Sequence, residues 1–404
     1  MFEKILYLFF MRILMIGQLP KEAGGNYTTG AANVVYELSK QHIDGLEVYM
    51  VATNASDKNI QKICAFTHQY IGYRKDIIGI LKDLVSHPIR TIREWKHYTN
   101  FDHENPLRYA FYKTNIRRAI SIVQPDIIHV HSISNVSPTR FAMERKQIPL
   151  LLTCHGIFYR GDTEDVKGRE VYQGNLPLCD YYTGLTEESR HEFTDILGVP
   201  PEKYTIIPNG VDTKKFYYSE EWRTRIRKEM DIKDSTKVFI TVASLQERKG
   251  QLSFIKILEH LDFDYQYWLV GSGPDKEAIE SYVAERYLDE KIKVLGYRNR
   301  DELYKYYSAA DIYAHPSWKE GQALCEIEAY ACGLRTIVNK AVIGTIVGDF
   351  TDKCLYYVTD FENVQLRELT EWLQLPTPPR HSRSNYDWRL IMERYRTVYK
   401  RIVN

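Results

Sequence analysis

Short apolar runs alternate with amphipathic segments along the first half of the chain. The run at 12–17 is continuously apolar and ends in glycine, which is typical of a strand buried on both faces of a sheet. A polar, glycine-rich stretch at 18–30 separates it from a segment of helical periodicity at 31–41. Similar strand-like runs occupy 46–52, 126–132 and 148–156. This alternation predicts an α/β fold with a parallel sheet.

The same alternation starts again after residue 200. The segment 203–212 leads into a charged helix, and strand-like runs follow at 237–245, 265–275, 291–297 and 311–317. Helical segments lie after these runs at 251–261, 276–287, 302–310 and 326–333. We therefore predict two doubly wound, Rossmann-like domains, one at 11–200 and one at 201–380.

The segment 386–404 has the pattern of an amphipathic helix. Its apolar face consists of Trp388, Ile391, Tyr395, Val398 and Ile402. A proline-rich stretch at 376–380 precedes it and is predicted to be a linker. We expect this helix to complete the first domain. Ligands of doubly wound sheets bind beyond the carboxyl ends of the strands, so function is expected in the loops that follow them.

Composition excludes several classes of protein. The 404 residues include 54 Lys and Arg against 53 Asp and Glu, so no net charge favours nucleic acid as a partner. The six cysteines include no C-x-x-C pair, which indicates neither a zinc site nor a disulfide framework and favours a reducing cytoplasm. No apolar run is long enough to span a membrane. Residues 1–10 are expected to be an upstream start or a loose arm, with a membrane-touching anchor as the less favoured alternative.

Two carboxylates, Glu320 and Glu328, lie on either side of a predicted helix start. The first follows the strand-like run at 311–317, and the second lies one turn inside the helix. Backbone N–H groups at such a helix start can hold phosphate, whereas carboxylates beside them would bind hydroxyl groups. By themselves, the two acids are better explained as side chains that merely complement the helix dipole.

Further motifs occur in order around this pair. They are IPNGVD at 207–212 with Phe216, ASLQERKG at 243–250, LVGSGP at 269–274 and VLGY at 294–297, and in the first half the glycine-rich stretch 18–30, PDIIHVHS at 125–132 and TCHG at 153–156. Together these residues resemble the retaining GT-B glycosyltransferases of family 4, over roughly 11–402. The resemblance implies two Rossmann-like domains facing across a cleft. It also implies that a sugar is transferred from a nucleotide-sugar with its anomeric configuration kept, without an assigned nucleophile.

The resemblance implies a donor site in the second domain. Glu328 would bind the ribose and Glu320 the donor sugar, while the backbone of Gly321, Gln322, Ala323 and Leu324 would approach the sugar or the diphosphate. Gly296 and Tyr297 match the turn that contacts the base. Lys249 matches the lysine that neutralises the diphosphate, but Ser244 replaces the usual arginine, and Arg248 is the candidate substitute. A preorganised cation at a departing diphosphate is worth about 3 kcal/mol or more in the transition state.

In the first domain, the resemblance places His155 near the reacting centre and the acceptor. His131 would line the cleft, His129 would be structural, and Gly30 would lie near the phosphates and the acceptor. We assign His155, Glu320 and Lys249 as the catalytic residues. His129 and His131 share one face of a strand, but no third ligand is visible, so no metal and no cofactor are expected. A Gly-Gly-Glu pattern of the family is missing at 339–349, where only Gly344 remains and Thr345 replaces the acid.

The function that the resemblance implies is transfer from a UDP- or GDP-sugar to a lipid-linked or oligosaccharide acceptor. The expected setting is bacterial surface polysaccharide synthesis in the cytoplasm, at the inner face of the membrane if the enzyme is peripheral. The alternatives are a GT-B-fold nucleotide-sugar epimerase and a non-catalytic nucleotide-sugar-binding protein. A dinucleotide redox enzyme is disfavoured, because Lys276 takes the third glycine position of the fingerprint that 271–276 would need.

The stretch 74–98 is both basic and amphipathic. Its cations are Arg74, Lys75, Lys82, Arg90, Arg93 and Lys96, against the acids Asp76, Asp83 and Glu94. One interpretation is a surface that attaches to an anionic membrane. The other is a pair of solvated helices. The sequence leaves both open.

Overall fold

The computed structural model divides the chain into two compact units. The first comprises Met1–Pro208 and Trp388–Asn404, and the second comprises Asn209–Asp387. The structure describes residues 10–26, 29–56, 70–73, 75–103, 105–156, 166–346, 354–359, 366–376, 379–380 and 382–403. Arg74 and most of residues 1–10 therefore lie outside the described residues, as does part of the predicted linker at 376–380.

The first unit contains a parallel sheet with the strand order β3-β2-β1-β4-β5-β6-β7. The strands are β1 Met11–Gly17, β2 Leu46–Ser56, β3 Tyr70–Tyr73, β4 Ile127–Val130, β5 Leu150–Thr153, β6 Tyr181–Gly184 and β7 Tyr204–Ile206. Ile13 to Ile16 of β1 are fully buried, which explains the continuous apolar run at the start of the sequence.

Helices connect the strands of this sheet. They are α1 Gly30–Ser39, α2 Ile77–Ser86, α3 Pro88–His97, α4 Pro106–Val123, α5 Val136–Met143, α6 Val166–Asn175 and α7 Glu187–His191. Side chains of α4 and α5 pack with those of β4 and β5 in one hydrophobic core. In the described residues, no helix is both long enough and apolar enough to cross a bilayer.

The second unit contains a parallel sheet with the strand order β10-β9-β8-β11-β12-β13. The strands are β8 Lys237–Val242, β9 Tyr265–Val270, β10 Ile292–Gly296, β11 Ile312–His315, β12 Arg335–Asn339 and β13 Leu355–Val358. The helices are α8 Glu220–Glu229, α9 Gln251–Leu258, α10 Lys276–Glu285, α11 Leu303–Ala309, α12 Leu324–Ala331 and α13 Leu366–Gln374. The chain thus has the predicted fold class, two doubly wound α/β sheets.

The first part of the segment 203–212 belongs to a different unit from the one predicted. Residues 203–208 were expected to open the second domain, but their strand β7 pairs with β6 at the edge of the first sheet. The division between the units falls between Pro208 and Asn209. An apolar run predicts a strand but does not predict which sheet the strand joins, because pairing partners are set by tertiary packing.

The C-terminal helix α14, Trp388–Val403, belongs to the first unit. Its apolar face is buried, and the Tyr399 hydroxyl lies 2.8 Å from Nδ1 of His129 on β4. The other ring nitrogen of His129 lies 2.6 Å from the Thr153 hydroxyl on β5. Burial lowers the pKa of His129 to about 3, so the ring is neutral, and its two nitrogens link the helix to β5.

Several strands carried no clear sequence signal, and β12 shows why. It begins with Arg335, a residue that interrupts an apolar pattern. The Arg335 guanidinium is nevertheless buried, since it donates a 2.6 Å hydrogen bond to the Trp372 carbonyl and lies 3.8 Å from the centre of the Trp372 ring. The partner comes from α13, far away in sequence, so local pattern cannot reveal that the charge is satisfied.

We expect Tyr399→Phe to destabilise the first unit. The substitution removes a buried hydroxyl and leaves Nδ1 of His129 without this contact, which costs about 1–3 kcal/mol. Urea denaturation followed by circular dichroism should show a lower urea midpoint for the unfolding of the first unit. Tyr287→Phe is the matched control, because Tyr287 is 92% exposed. Equal urea midpoints for the two variants would contradict this account of the helix.

Candidate functional site

The loops at the carboxyl edge of the second sheet contain most of the predicted donor-site residues. Lys249 follows β8, Gly296 ends β10 with Tyr297 after it, and Glu320 follows β11. Glu328 lies inside α12, the helix after β11. Because the strands are parallel, these loops emerge at the same edge of the sheet, where doubly wound folds bind ligands.

Lys249 and Glu320 form a buried ion pair. The Lys249 ammonium donates a hydrogen bond to Oε1 of Glu320, and each side chain is only about one-tenth exposed. Burial by itself raises the pKa of the Glu320 carboxyl, but the Lys249 charge and further contacts outweigh it, so the net pKa is lower than usual. The pair is therefore a charged, preformed cation–carboxylate unit with little access to water.

Arg248 is placed at the rim of this pair. Its guanidinium lies 3.9 Å from Oε2 of Glu320 and donates a 3.2 Å hydrogen bond to the Lys319 carbonyl. Its side chain is 43% exposed, in contrast with the buried Lys249. Arg248 thus places a second positive charge beside Glu320, on a partly exposed side chain.

Backbone contacts hold the loops after β8 and β11 together. Gly250 has a φ of +68°, and a Cβ there would lie 2.3 Å from the Pro316 carbonyl oxygen. The Trp318 amide donates a 2.9 Å hydrogen bond to the Arg248 carbonyl. Gly273 also allows close approach, since its Cβ would lie 2.1 Å from the Leu245 oxygen. Only glycine permits this packing, which fixes Lys249 against Glu320.

Glu328 is buried and paired with an arginine that the sequence analysis missed. Its Oε1 accepts hydrogen bonds from Arg300, at 2.9 Å from Nε and 2.8 Å from one terminal nitrogen. Its Oε2 accepts a 3.4 Å hydrogen bond from the Tyr307 hydroxyl. Arg300 begins a short turn shortly after Gly296 and Tyr297, so it links the predicted base-contacting turn to the predicted ribose-binding carboxylate.

Gly296 and Tyr297 form an open turn at the end of β10. Gly296 has a φ of +71°, a left-handed conformation that favours glycine, and no atom lies within 4 Å of a Cβ built there. Tyr297 is 66% exposed. Both residues therefore offer surface beside the Arg300–Glu328 pair.

The segment Gly321 to Leu324 leads directly into α12. Ala323 precedes the helix with no side chain capping it, so the first backbone N–H groups are not satisfied in that way. The Gln322 side chain is engaged elsewhere, because its Oε1 accepts a 2.5 Å hydrogen bond from the backbone N–H of Asn209. The start of α12 is therefore a helix N-terminus of the kind at which backbone N–H groups bind anions.

His315, the last residue of β11, is a second residue that sequence reasoning missed. It is buried, and burial is the main cause that lowers its pKa to about 4, so the ring is neutral. Its Nδ1 lies 3.1 Å from the Tyr313 hydroxyl, and among the described residues its Nε2 has no hydrogen-bond partner. A histidine inside the apolar run 311–317 gave no signal that it would lie beside the Lys249–Glu320 pair.

In the first unit, His131 and His155 form a stacked pair at the carboxyl ends of β4 and β5. Nδ1 of His131 lies 3.1 Å from Nε2 of His155, and the rings are 5.3 Å apart at 13°. Burial lowers the pKa of His155 to about 4 and also lowers that of His131. Both rings are therefore neutral near pH 7, with one nitrogen of each buried and without a partner in the described residues.

The remaining predicted residues have simple surroundings. Gly30 is exposed at the start of α1, next to the capping residue Thr29. Thr345 is buried, and its hydroxyl donates a 2.7 Å hydrogen bond to the Val342 carbonyl, so it serves the local turn. The described ranges contain no group of three or more His, Cys, Asp or Glu side chains that could hold a metal ion.

We expect Lys249→Met to destabilise the second unit by about 3 kcal/mol at neutral pH, because it leaves a buried carboxylate without its cation. Glu320 has a depressed pKa, so its contribution is present above its unfolded pKa and is lost as pH falls through the folded pKa. The difference between wild type and variant should therefore shrink in acid.

Urea denaturation at neutral pH and at about pH 3 measures this difference. Lys276→Met is the matched control, because Lys276 pairs with Glu280 on an exposed helix surface. We expect that control to change stability by at most about 1 kcal/mol. A Lys249→Met deficit that is unchanged in acid would show that the charge of Glu320 is not its source.

Two family models match the chain. The model described as Glycosyltransferase Family 4 matches residues 28–215, and the model described as Glycosyl transferases group 1 matches residues 223–384. Their boundary falls close to the division between the two structural units. Each unit of the chain therefore corresponds to one of the two models.

Curated relatives are similar at low identity. An alpha-monoglucosyldiacylglycerol synthase of Acholeplasma laidlawii is 28% identical, with 53% of this chain and 58% of that protein aligned. The UDP-Gal:alpha-D-GlcNAc-diphosphoundecaprenol alpha-1,3-galactosyltransferase of Escherichia coli is 27% identical, with 53% of this chain and 57% of that protein aligned. The matched region thus spans less than three-fifths of the length of either relative.

Among solved structures, HepE of Anabaena in complex with UDP is similar in fold. It has a TM-score of 0.70 and 16% identity, with 97% of this chain and all of that chain covered. Such a likeness concerns architecture, and it extends over both units. The two family models and this shared architecture identify the chain as a glycosyltransferase-family enzyme with the GT-B fold.

Proposed function

We propose that this protein transfers a sugar from a UDP-sugar to a hydroxyl acceptor with retention of the anomeric configuration. The observation that carries the proposal is the pair of preformed ionic units, Lys249–Glu320 and Arg300–Glu328, at one edge of a doubly wound sheet. UDP is favoured as the donor nucleotide because the similar structures of Anabaena HepE are complexes with UDP and with UDP-glucose.

Lys249 would stabilise the negative charge of the departing diphosphate. Its ammonium has three donors, one of which is given to Glu320, so the others are available to phosphate oxygens. Charge accumulates on the diphosphate as the bond from the sugar carbon to its oxygen breaks, and a fixed, poorly hydrated cation stabilises that charge most. Arg248 and the N–H groups at the start of α12 would add to it, which is why we expect no metal and no cofactor to be needed.

The two carboxylates would bind hydroxyl groups of the donor. Glu320 accepts from a sugar hydroxyl and Glu328 from the ribose hydroxyls, while Arg300 keeps the Glu328 carboxylate in a fixed orientation. An ionised carboxylate accepts hydrogen bonds only, which matches hydroxyls and rejects phosphate. Gly296 and Tyr297 would contact the base.

The first unit would hold the acceptor. His155 is neutral at physiological pH, so it can position a hydroxyl through a lone pair or an N–H group without attracting the diphosphate. His131 orients it through their 3.1 Å contact, and Gly30 offers close backbone approach. The new bond joins the acceptor oxygen to the sugar carbon, the acceptor proton is released, and UDP departs. We assign no nucleophile.

The proposed acceptor is a lipid-linked sugar or oligosaccharide in surface polysaccharide synthesis, handled at the cytoplasmic face of a membrane. Support comes from two relatives, of which one is a synthase of a monoglucosyldiacylglycerol and the other is a galactosyltransferase that acts on a diphosphoundecaprenol-linked sugar. Binding of a UDP-sugar with no transfer to any such acceptor would favour the alternative, a nucleotide-sugar-binding protein without transferase activity.

Donor binding is tested by thermal shift with UDP, UDP-sugars and GDP. UDP at a hundred times its dissociation constant should stabilise the protein by about 2.7 kcal/mol. Glu328→Gln should weaken UDP binding about tenfold or more, because a charge-assisted hydrogen bond to the ribose is lost. Glu302→Gln, at a half-exposed carboxylate, is the matched control and should bind UDP as the wild type does. Equal UDP affinity in the two variants would defeat the donor site.

Transfer is tested with a labelled UDP-sugar and an undecaprenol-diphosphate sugar. His155→Ala should lower kcat by about a hundredfold if it positions the acceptor, while UDP binding measured by thermal shift should remain. His191→Ala, at an exposed histidine of α7, is the matched control. NMR of the product should show an α-linkage from an α-linked donor. An inverted product would overturn retention, and an unchanged kcat would overturn the role of His155.

A further inference from the structure

The helices α2 and α3 bury acidic side chains and expose most of their aliphatic ones. They are joined at His87, and their acids Asp83 and Glu94 are buried. Ile80 is also buried, but most of their other aliphatic side chains are exposed, with 80% exposure at Ile78 and 81% at Val85. Folding normally buries apolar side chains and leaves carboxylates in water, so this arrangement runs against the main driving force of folding.

An ionic network explains what holds the inward face. Arg117 of α4 donates two 2.7 Å hydrogen bonds to the two carboxylate oxygens of Asp83. Lys113, also on α4 and almost fully buried, lies 3.1 Å from Asp83 and is hydrogen-bonded to Glu94. The Thr91 hydroxyl donates to the Asp83 carbonyl. Paired charges therefore fix α2 and α3, together called the α2–α3 hairpin, to α4. The outward face of this hairpin is held in place by the same ion pairs.

The outward face is aliphatic along both helices. Its exposed members are Ile77, Ile78, Leu81 and Val85 on α2 and Ile89 and Ile92 on α3. At 100° per residue, the four on α2 fall within about one quadrant of the helix and the two on α3 lie one turn apart. A contiguous apolar surface of this kind on a folded protein marks an interaction site.

The charges around this face identify the occupant. Four exposed cations accompany the aliphatic residues, namely Lys75, Lys82, Arg93 and Lys96. The exposed acid between them, Asp76, accepts a hydrogen bond from the Gly79 amide at the start of α2. A second copy docked by two-fold symmetry would bring these cations together, which is unfavourable. An anionic lipid surface suits this pattern, because the apolar side chains can insert among the headgroups while the surrounding Lys and Arg contact lipid phosphates.

We propose that the outward face of the α2–α3 hairpin docks on an anionic membrane, with the six aliphatic side chains entering the headgroup region and the four cations contacting lipid phosphates. The biological role of this docking rests on the proposed function, since docking would hold the enzyme at the membrane where lipid-linked acceptors lie. Its physical basis is independent of catalysis. Each helix is only ten residues long, so the contact is peripheral.

Vesicle co-sedimentation of the full chain tests the proposal. Vesicles of phosphatidylcholine with about 30% phosphatidylglycerol should bind the protein, and pure phosphatidylcholine should bind it more weakly. The triple variant Ile78→Ser, Val85→Ser and Ile89→Ser should lose about tenfold or more in binding. Lys82→Glu with Arg93→Glu should lose the preference for phosphatidylglycerol and its sensitivity to salt.

The matched control is Leu107→Ser, Ile122→Ser and Leu390→Ser, at three exposed aliphatic residues outside the hairpin. It should bind vesicles as the wild type does. Equal binding by both triple variants, or no binding by the wild type, would overturn the proposal. So would a dimer in light scattering that the hairpin triple variant dissociates, because the face would then be a self-interface.

The UDP thermal shift separates this proposal from the proposed function. The hairpin triple variant should respond to UDP as the wild type does, because its substitutions lie in the first unit and outside the donor residues. Vesicle binding without a UDP response would defeat the donor site and leave the docking surface standing. A UDP response without vesicle binding would defeat the docking surface alone.

Discussion

The buried ion pair between Lys249 and Glu320 is the interaction on which the proposed donor site depends. It requires two loops from different strands to meet, and the glycine at 250 together with the Trp318 amide makes that approach possible. Two opposite charges removed from water are tolerated only when each satisfies the other. The protein thereby keeps a cation and a carboxylate fixed and poorly hydrated before any ligand arrives, which is the condition for strong electrostatic stabilisation of a charged leaving group.

The candidate site residues of the two units use burial in different ways. In the second unit, each candidate site carboxylate is buried against a cation, as Glu328 is against Arg300. In the first unit, burial keeps the candidate site histidines neutral, so they offer hydrogen bonds without net charge. This difference agrees with the proposed division, in which the second unit meets the anionic diphosphate and the first meets uncharged hydroxyl groups.

Part of the site was visible in the sequence, and part was not. Glu320, Glu328 and Lys249 stood out because the ordered motifs that contain them resemble those of family 4 glycosyltransferases. Arg300 and His315 did not, because each acquires its importance from a partner that only folding brings near. Segment 203–212 shows the same limit at the level of the fold, since its strand joined the first sheet and not the second.

The sequence by itself determined the alternation of strands and helices and the restart that divides the chain in two, because side-chain periodicity reports local backbone geometry. It also established that 74–98 is amphipathic. It did not determine which face of that stretch points inward. That was decided by the buried Lys113 and the partly buried Arg117 of α4, whose charges pair with Asp83 and Glu94 and so turn most of the aliphatic side chains outward. Periodicity shows that two faces differ, whereas only the tertiary partners decide which one is buried.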